Sequence, residues 1–233
     1  MQPAIQRPPL PPLRHGERLT QPEFHRRYEA HPDGTKFELI GGVVYLTSPM
    51  RNPHGELSAA LGTAFGNYVA ATPGAQLFSD VTTILSAQAE PQPDLVLRIR
   101  PSHGGRTRDD ADQYVHNGPE LVAQVADSTV PLDLGARRDD NQQAGVIEYL
   151  VVDVPRQRLH WFDFRAGGEI RERGGVMRSR VFPGLWIARA ALLAADLPAL
   201  LAVVQQGIAS NPHAQFVERL ERARRRIARS SRS

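Results

Sequence analysis

Two apolar runs separated by one polar segment constrain this chain more than any other feature. The runs LVAQVA and IEYLVVD, at residues 121–126 and 147–153, are typical of buried strands. Between them, residues 132–145 read LDLGARRDDNQQAG, a polar segment with the length of a helix. A strand, a helix and a second strand in this order predict one unit of an α/β sheet.

The remaining pattern supplies further elements of the same sheet. KFELI and VVYLTS flank the glycine pair at 41–42, which predicts a β-hairpin. A helix is expected from Asn52 or Pro53, because apolar residues then recur every three or four positions. The runs VTTIL and DLVLRI indicate two more strands, and RLHWFDF and the segments up to FPGLW indicate antiparallel edge strands. The pattern predicts a mixed central sheet flanked by helices.

Composition bounds the domain organisation. The chain has 233 residues, of which 41% are hydrophobic, enough for one sizeable core. Five prolines within the first twelve positions predict a disordered arm over residues 1–19. We therefore expect one domain over residues 20–195 and a helical, arginine-rich extension over residues 196–233.

Cysteine usage and hydropathy indicate where the protein works. The chain has no cysteine, which excludes disulfides and thiolate metal sites and favours the cytoplasm. Its most apolar segment, residues 187–204, contains Arg189, Asp196 and Pro198, too many interruptions for a membrane span. The N-terminus shows no signal peptide, so we expect no membrane partner.

Three polar side chains stand where the predicted elements could bring them together. Asp94 opens DLVLRI after Pro93, Gln124 lies inside LVAQVA, and Arg137 lies on the helix that follows. Hydrolysis of a phosphodiester requires charge neutralisation at phosphorus and an activated water, which carboxylates holding Mg²⁺ supply together with a cationic side chain. The layout is that of a metal-dependent phosphodiesterase site.

Each of these residues also has a purely structural explanation. Asp94 can be an ordinary turn residue, and Gln124 can make a hydrogen bond in the core. Arg137 can pair with Asp133, four residues earlier, on a solvated helix face. His54 can be an exposed residue in the first turn of its helix. The residues alone leave these alternatives open.

Several motifs follow one another in a fixed order along the chain. They are the hairpin FELIGGVVYLTSP with Glu38, then His54, Pro93-Asp94, PELVAQVADST with Asp133, AGVIEYLVVD and RSRVFPGLW. Over about residues 22–195 this set resembles the Uma-two family of restriction-type endonucleases, a branch of the nuclease superfamily with the PD-(D/E)xK signature. The resemblance implies an α/β fold of the restriction-endonuclease type.

The resemblance also assigns site residues, with two departures from the family pattern. Asp94 matches the metal-binding Asp, whereas Gln124 stands in the place of the Glu and Arg137 in that of the Lys, with Asn141 in place of a nearby Tyr. A Gln oxygen can ligate a cation but adds no negative charge, and Arg has too high a pKa to act as a base. Lys36 is the sole lysine and lies on the hairpin, so no neighbouring lysine can replace the missing one.

The function implied is a DNA endonuclease that uses Mg²⁺ or Mn²⁺, with activity reduced by the two substitutions. Its catalytic residues would be Asp94, Gln124, Arg137, Glu38 and His54, with the metal on Asp94, Gln124 and Glu38. The alternative is an inactive relic of the fold that binds nucleic acid or a protein partner. An active enzyme needs carboxylates converging on Gln124, whereas a binding module needs a basic face around the cleft. DNA is the expected partner, and a homodimer is left open.

The C-terminal tail is the one strongly positive segment. From Asn211 onward there are seven arginines and two glutamates, although the whole chain carries only +3. A helix is expected over residues 214–229, and its arginines can bind phosphates or form a solvated face. Its apolar residues, among them Phe216 and Leu220, instead suit packing on the domain or on a second copy.

Overall fold

A computed structural model describes residues 10–31, 34–47 and 50–230 of the chain. The α-helices in these ranges are α1 (Gln21–Glu29), α2 (Asn52–Ala70), α3 (Val130–Asp133), α4 (Ala136–Gln143), α5 (Arg189–Leu193), α6 (Leu197–Ile208) and α7 (Asn211–Ser230). The strands are β1 (Phe37–Ile40), β2 (Val43–Leu46), β3 (Ala75–Ser79), β4 (Thr83–Ile84), β5 (Leu95–Ile99), β6 (Arg108–Asp109), β7 (Val115–His116), β8 (Leu121–Ala126), β9 (Glu148–Asp153), β10 (Arg158–Asp163), β11 (Gly168–Glu169), β12 (Val176–Arg178) and β13 (Trp186–Ala188).

A six-stranded mixed sheet forms the centre of the molecule, in the order β11-β10-β9-β8-β5-β3. Strands β8 and β9 are parallel, as a strand-helix-strand connection requires, and the other neighbours are antiparallel. Strands β1 and β2 form the predicted hairpin beside this sheet, with positive φ angles at both glycines of the turn. The expected α/β fold with a mixed central sheet flanked by helices is confirmed.

The two faces of the sheet are covered by different helices. Helix α2 packs Leu57, Leu61 and Phe65 into the larger apolar cluster, which also holds Ala123 and Val125 of β8. On the opposite face, residues Val122 and Ala126 of β8 pack with Val130 of α3 and Tyr149 of β9. Residues of one strand alternate between faces, so Gln124 points to the face covered by α3.

The segment predicted as one helix between β8 and β9 is divided into α3 and α4 at Gly135. This residue has φ −110° and ψ −113°, a backbone conformation outside the helical region. A Cβ atom at this position would lie 2.7 Å from the carbonyl oxygen of Pro131. Glycine therefore permits a break in the helix, and α4 begins at Ala136, directly before the buried Arg137. Strand β3, at one edge of the sheet, was not predicted from the sequence.

The expectation of a disordered arm over residues 1–19 does not hold for residues 10–19, while residues 1–9 lie outside the described ranges. The Gly16 amide donates to Val44 of the hairpin, and the Arg27 side chain donates to the carbonyls of Pro11 and Pro12. Leu13 is buried with Phe24 and Phe37. A proline-rich segment lacks periodicity, yet it can be held by contacts that periodicity does not reveal.

The C-terminal helices belong to the same apolar core as the sheet. Leu200 and Val204 of α6, and Phe216 and Leu220 of α7, are buried in the cluster that contains α2. The Arg219 guanidinium lies over the Phe216 ring at 4.9 Å. Of the helices formed by the described residues, none has the length and apolarity needed to cross a bilayer.

Phe216→Ala tests whether α7 is a packing element. Because this ring is 1% exposed and fills the main core, its removal should lower the free energy of unfolding by about 3–5 kcal/mol. Chemical denaturation of the full chain measures this. The control is Arg222→Ala on the exposed face of α7, expected to change stability by about 0.5 kcal/mol or less. Equal stability of both variants would show that α7 does not support the core.

Candidate active site

Asp94 and Gln124 lie side by side on one face of the central sheet. Leu95 of β5 faces Ala123 of β8 across an antiparallel pair, and both side chains enter the cluster under α2. Alternation along the strands then directs Asp94 and Gln124 to the opposite face. Asp94 is tied to β8, because its Oδ2 accepts a hydrogen bond of 2.7 Å from the Val125 amide. The strand pairing itself places the two side chains next to each other.

One cavity of about 500 Å³ brings the predicted site residues together. Its lining includes Glu38, His54, Asp94, Gln124 and Arg137. The hairpin supplies Glu38, the first turn of α2 supplies His54, and α4 supplies Arg137. The predicted convergence of these side chains on one cleft is therefore observed.

His54 and Asp94 form a close pair at the wall of the cavity. The His54 Nε2 lies 3.3 Å from the Asp94 Oδ1. The hydrogen bond and the charge of Asp94 raise the pKa of His54, although partial burial acts in the opposite direction. The imidazole therefore tends to hold a proton directed at the carboxylate.

Arg137 lies at the centre of a buried ion cluster with Glu38 and Asp133. Its two terminal nitrogens donate to the two oxygens of Glu38, at 2.7 Å and 2.9 Å. Its Nε lies 2.7 Å from Asp133 Oδ1, but the N–H is not aligned for a hydrogen bond. Burial would lower the pKa of Arg137, yet the two carboxylates raise it. Burial also raises the pKa of Asp133. The alternative that Arg137 pairs with Asp133 on a solvated helix face is therefore wrong, because this pair is buried.

Neighbouring hydrogen bonds fix the position of this ion cluster. The Gly41 amide in the hairpin turn donates to Asp140 Oδ2 at 2.7 Å, which joins the hairpin to α4. The Tyr149 hydroxyl of β9 donates a hydrogen bond to the backbone carbonyl of Asp133. The side-chain amide of Asn141 donates to the backbone carbonyl of Arg137. The Gln92 amide donates to Glu38 Oε1 at 2.7 Å. These hydrogen bonds link the hairpin, α3, α4 and β9 around the ion cluster, while the guanidinium itself contacts Glu38 and Asp133.

Gln124 has a polar atom without a partner. The side chain is 5% exposed, and its Nε2 makes no hydrogen bond within the part of the chain that the structure describes. A buried amide of this kind usually finds a partner, so its position against the cavity favours a ligand there. Because no hydrogen bond to Nε2 fixes the orientation of the amide, its Oε1 can face the cavity.

The lining of the cavity carries more negative than positive charge. Glu38, Asp80, Asp94, Asp127 and Asp133 contribute five carboxylates, against the three cations Lys36, Arg51 and Arg137, a difference of −2 before the two lining histidines are counted. Our sequence reasoning did not select Asp80 and Asp127. Asp127 follows β8 directly, and acidic residues at strand ends are the signal that could have found it.

Only part of the expected metal set fits a divalent cation. Asp94 and Gln124 offer oxygens to the cavity, and Mg²⁺ is often held by one or two protein oxygens while it keeps several waters. Glu38 does not fit, because Arg137 occupies both of its oxygens. Among the residues described, no three acidic, His or Cys side chains converge closely enough to hold an ion. The fitting residues are therefore Asp94 and Gln124.

The sheet order and the placement of these residues define a protein of the restriction-endonuclease-like class. The chain matches the model of the Uma2 family, described as "Putative restriction endonuclease", over residues 21–192, and it belongs to that family. It is also similar to a solved structure from Anabaena variabilis, described as a "putative nuclease belonging to DUF820". The identity is 12% and the TM-score is 0.58, with 76% of this chain and 98% of that chain covered. Such low identity shows the fold alone. Among curated proteins, no match is found.

Arg137→Met should destabilise the protein by about 3–5 kcal/mol, because it leaves two buried carboxylates without their cation. Adding Glu38→Gln should recover part of this loss, since one of the uncompensated charges is then removed. Denaturant unfolding of the single and double variants measures both effects. Arg138→Ala, on the next and more exposed residue, is the control and should have little effect. A stable Arg137→Met protein would contradict the central role of the ion cluster.

Titration of His54 by NMR in metal-free buffer should give a pKa above its usual value of 6.5, and Asp94→Asn should lower it. Because the folded pKa is the raised one, the contact contributes stability that is fully present below pH 6.5 and is lost as the pH rises through the folded value. Asp139→Asn, an exposed change on α4, should leave the His54 titration unaltered. Identical curves for all three proteins would exclude the pairing.

Proposed function

We propose that this protein is a DNA endonuclease that hydrolyses phosphodiester bonds slowly, with a divalent cation, Mg²⁺ or Mn²⁺. The observation that carries the proposal is the acidic cavity in which Asp94 and Gln124 lie together. Five carboxylates repel a phosphate but attract a cation, and a bound cation then attracts the phosphate. An acidic cavity therefore favours a metal-assisted enzyme over a module that binds nucleic acid through basic side chains.

Asp94 and Gln124 would hold the cation, through a carboxylate oxygen and an amide oxygen. When bound, the cation would neutralise charge on the phosphate and lower the pKa of a water molecule. The hydrogen bond from Val125 fixes Asp94, so one ligand is oriented before any ion arrives. The alternation of β8 brings Gln124 to the same face, beside Asp94.

His54 and Arg137 would support the reaction in different ways. His54 holds a proton at Nε2 beside Asp94 and can donate it to a leaving oxygen as a general acid. Arg137 balances the charges of Glu38 and Asp133, which reduces the repulsion that an approaching phosphate meets. Its guanidinium cannot take up a proton, so the base must be another group or a hydroxide.

The slow rate follows from the neutral side chain at position 124. Affinity for Mg²⁺ depends largely on the number of charged ligands, and Gln124 contributes none. Since Arg137 holds both oxygens of Glu38, Asp94 is the carboxylate left for the cation on this part of the cavity, and its Oδ1 is shared with His54. We therefore expect weak metal binding at ordinary concentrations.

A second candidate is a relic of the nuclease fold that binds a partner without cleaving it. The observation in its favour is the same ion cluster, in which the cationic side chain that would contact a scissile phosphate is bound to two carboxylates. Such a protein would keep the fold and the cavity, because the cluster stabilises the packing of the hairpin against α4. Fold alone does not separate the two functions.

A plasmid-nicking assay with Mg²⁺ or Mn²⁺ tests the endonuclease. Wild type should nick slowly, Gln124→Glu should nick roughly tenfold or more faster because it restores a charged ligand, and Asp94→Ala should be inactive. The matched control is Gln142→Glu, which adds the same charge on the exposed side of α4.

Calorimetric titration with Mn²⁺ separates the candidates when cleavage is weak. The endonuclease requires Mn²⁺ binding that Asp94→Ala abolishes and Gln124→Glu strengthens. Equal nicking by all four proteins would indicate a contaminant. The absence of both metal binding and nicking in wild type and Gln124→Glu would favour the relic.

A further inference from the structure

The groups at the bottom of the cavity are almost inaccessible to solvent. Asp94 is 8% exposed, and Glu38 and Gln124 are each 5% exposed. The cavity volume of about 500 Å³ is in the range of small-molecule sites, roughly 300–1,000 Å³. A site of this size suits a group as small as one nucleotide, and an unpaired strand is free to turn its phosphodiester towards Asp94.

The entrance of the cavity is apolar and aromatic. Leu46 and Met50 are 47% and 60% exposed, and with Leu197 they are the large hydrophobic side chains found exposed in the described ranges. Both line the cavity, together with Tyr45. Folding does not account for this exposure, because each side chain would be more stable out of water. A ligand with a flat apolar surface would cover them.

Tyr45 is held in place before any ligand binds. It lies directly opposite Glu38 in the hairpin, so both side chains share the face that borders the cavity. The His15 ring packs edge-on against Tyr45 at 5.6 Å, and the Leu46 amide donates to His15 Nδ1. An aromatic ring fixed at a cavity entrance is a platform on which a nucleobase can stack.

Two cationic side chains at the cavity complement the charge of a nucleic-acid backbone. Lys36 and Arg51 are exposed and belong to the lining. Arg51 lies 4.0 Å from Asp127, a distance that leaves its other nitrogens available to a phosphate. A strand could therefore place phosphates near these cations and a base near Tyr45.

We propose that the cavity takes an unpaired DNA strand, with a base against Tyr45, Leu46 and Met50 and the adjoining phosphodiester directed towards Asp94. The inference rests on the proposed endonuclease function and specifies its substrate class. Base stacking tolerates any sequence, since every base has a π face. The enzyme would then act at single-stranded regions, gaps or frayed ends.

Fluorescence anisotropy with a labelled oligothymidylate and a blunt duplex of equal length tests this proposal. Measurements use the full-length protein in Ca²⁺, so that binding is read separately from Mg²⁺-dependent cleavage. The single strand should bind at least tenfold more tightly than the duplex. Tyr45→Ala should weaken binding of the single strand roughly tenfold, as expected for the loss of one base–aromatic stack.

The variant Met50→Ser guards against a failure of Tyr45→Ala to fold, because Met50 is largely exposed. It should weaken single-strand binding severalfold at an unchanged melting temperature. Leu197→Ser removes the exposed hydrophobic side chain that lies outside the cavity, and should bind as wild type does.

Equal affinity for the two DNA forms would overturn the inference, as would equal binding by Met50→Ser and Leu197→Ser. Preference for the single strand without any nicking would instead leave the substrate class standing and count against catalysis. Nicking of duplex plasmid at undiminished rate by Tyr45→Ala and Met50→Ser would show that an unpaired strand is not required.

Discussion

The ion cluster of Arg137 with Glu38 and Asp133 holds the site region together. It joins a hairpin to a helix 99 residues further along the chain. Taking three charges out of water is costly, and such a cluster is tolerated only when each group has close partners. Those partners come from the hairpin, from α3 and from α4, so their relative positions are set by one guanidinium group. Ion pairs therefore hold together the elements at the bottom of the cavity.

In the proposed nuclease site, the buried cation and the residues that would contact a ligand are different groups. Arg137 compensates Glu38 and Asp133, while Asp94, His54 and Gln124 line the cavity. An arginine at position 137 suits this division, because a planar guanidinium binds both oxygens of Glu38 at once. A neutral Gln at position 124 also avoids a further negative charge beside Asp94.

The sequence predicted strands β5, β8 and β9 and selected side chains that converge on one cavity, but it did not reveal β3, Asp80 or Asp127. Strands β5, β8 and β9 are almost continuously apolar, and a single polar residue inside such a run is conspicuous, which is why Gln124 and Asp94 could be selected. The partners of Arg137 could be predicted only in part. Its pairing with Asp133 follows from helical spacing, whereas the pairing with Glu38 depends on how the hairpin docks, and that contact is distant in sequence. The break at Gly135 was not predicted, because neither its backbone conformation nor its close approach to the Pro131 carbonyl can be read from the sequence.

Residues 10–19 pack against the domain and belong to the same folding unit. The family match starts at residue 21, yet Gly16 and Glu17 are hydrogen-bonded to Val44, and His15 holds Tyr45 edge-on. A fragment cut to the matched region would lose a buried leucine, the acidic partner of Arg27 and one wall of the cavity entrance. Strand β2, which bears Tyr45, would then have one neighbour fewer. Recombinant versions of this protein should therefore keep residues 10–20, which contact the hairpin and Arg27.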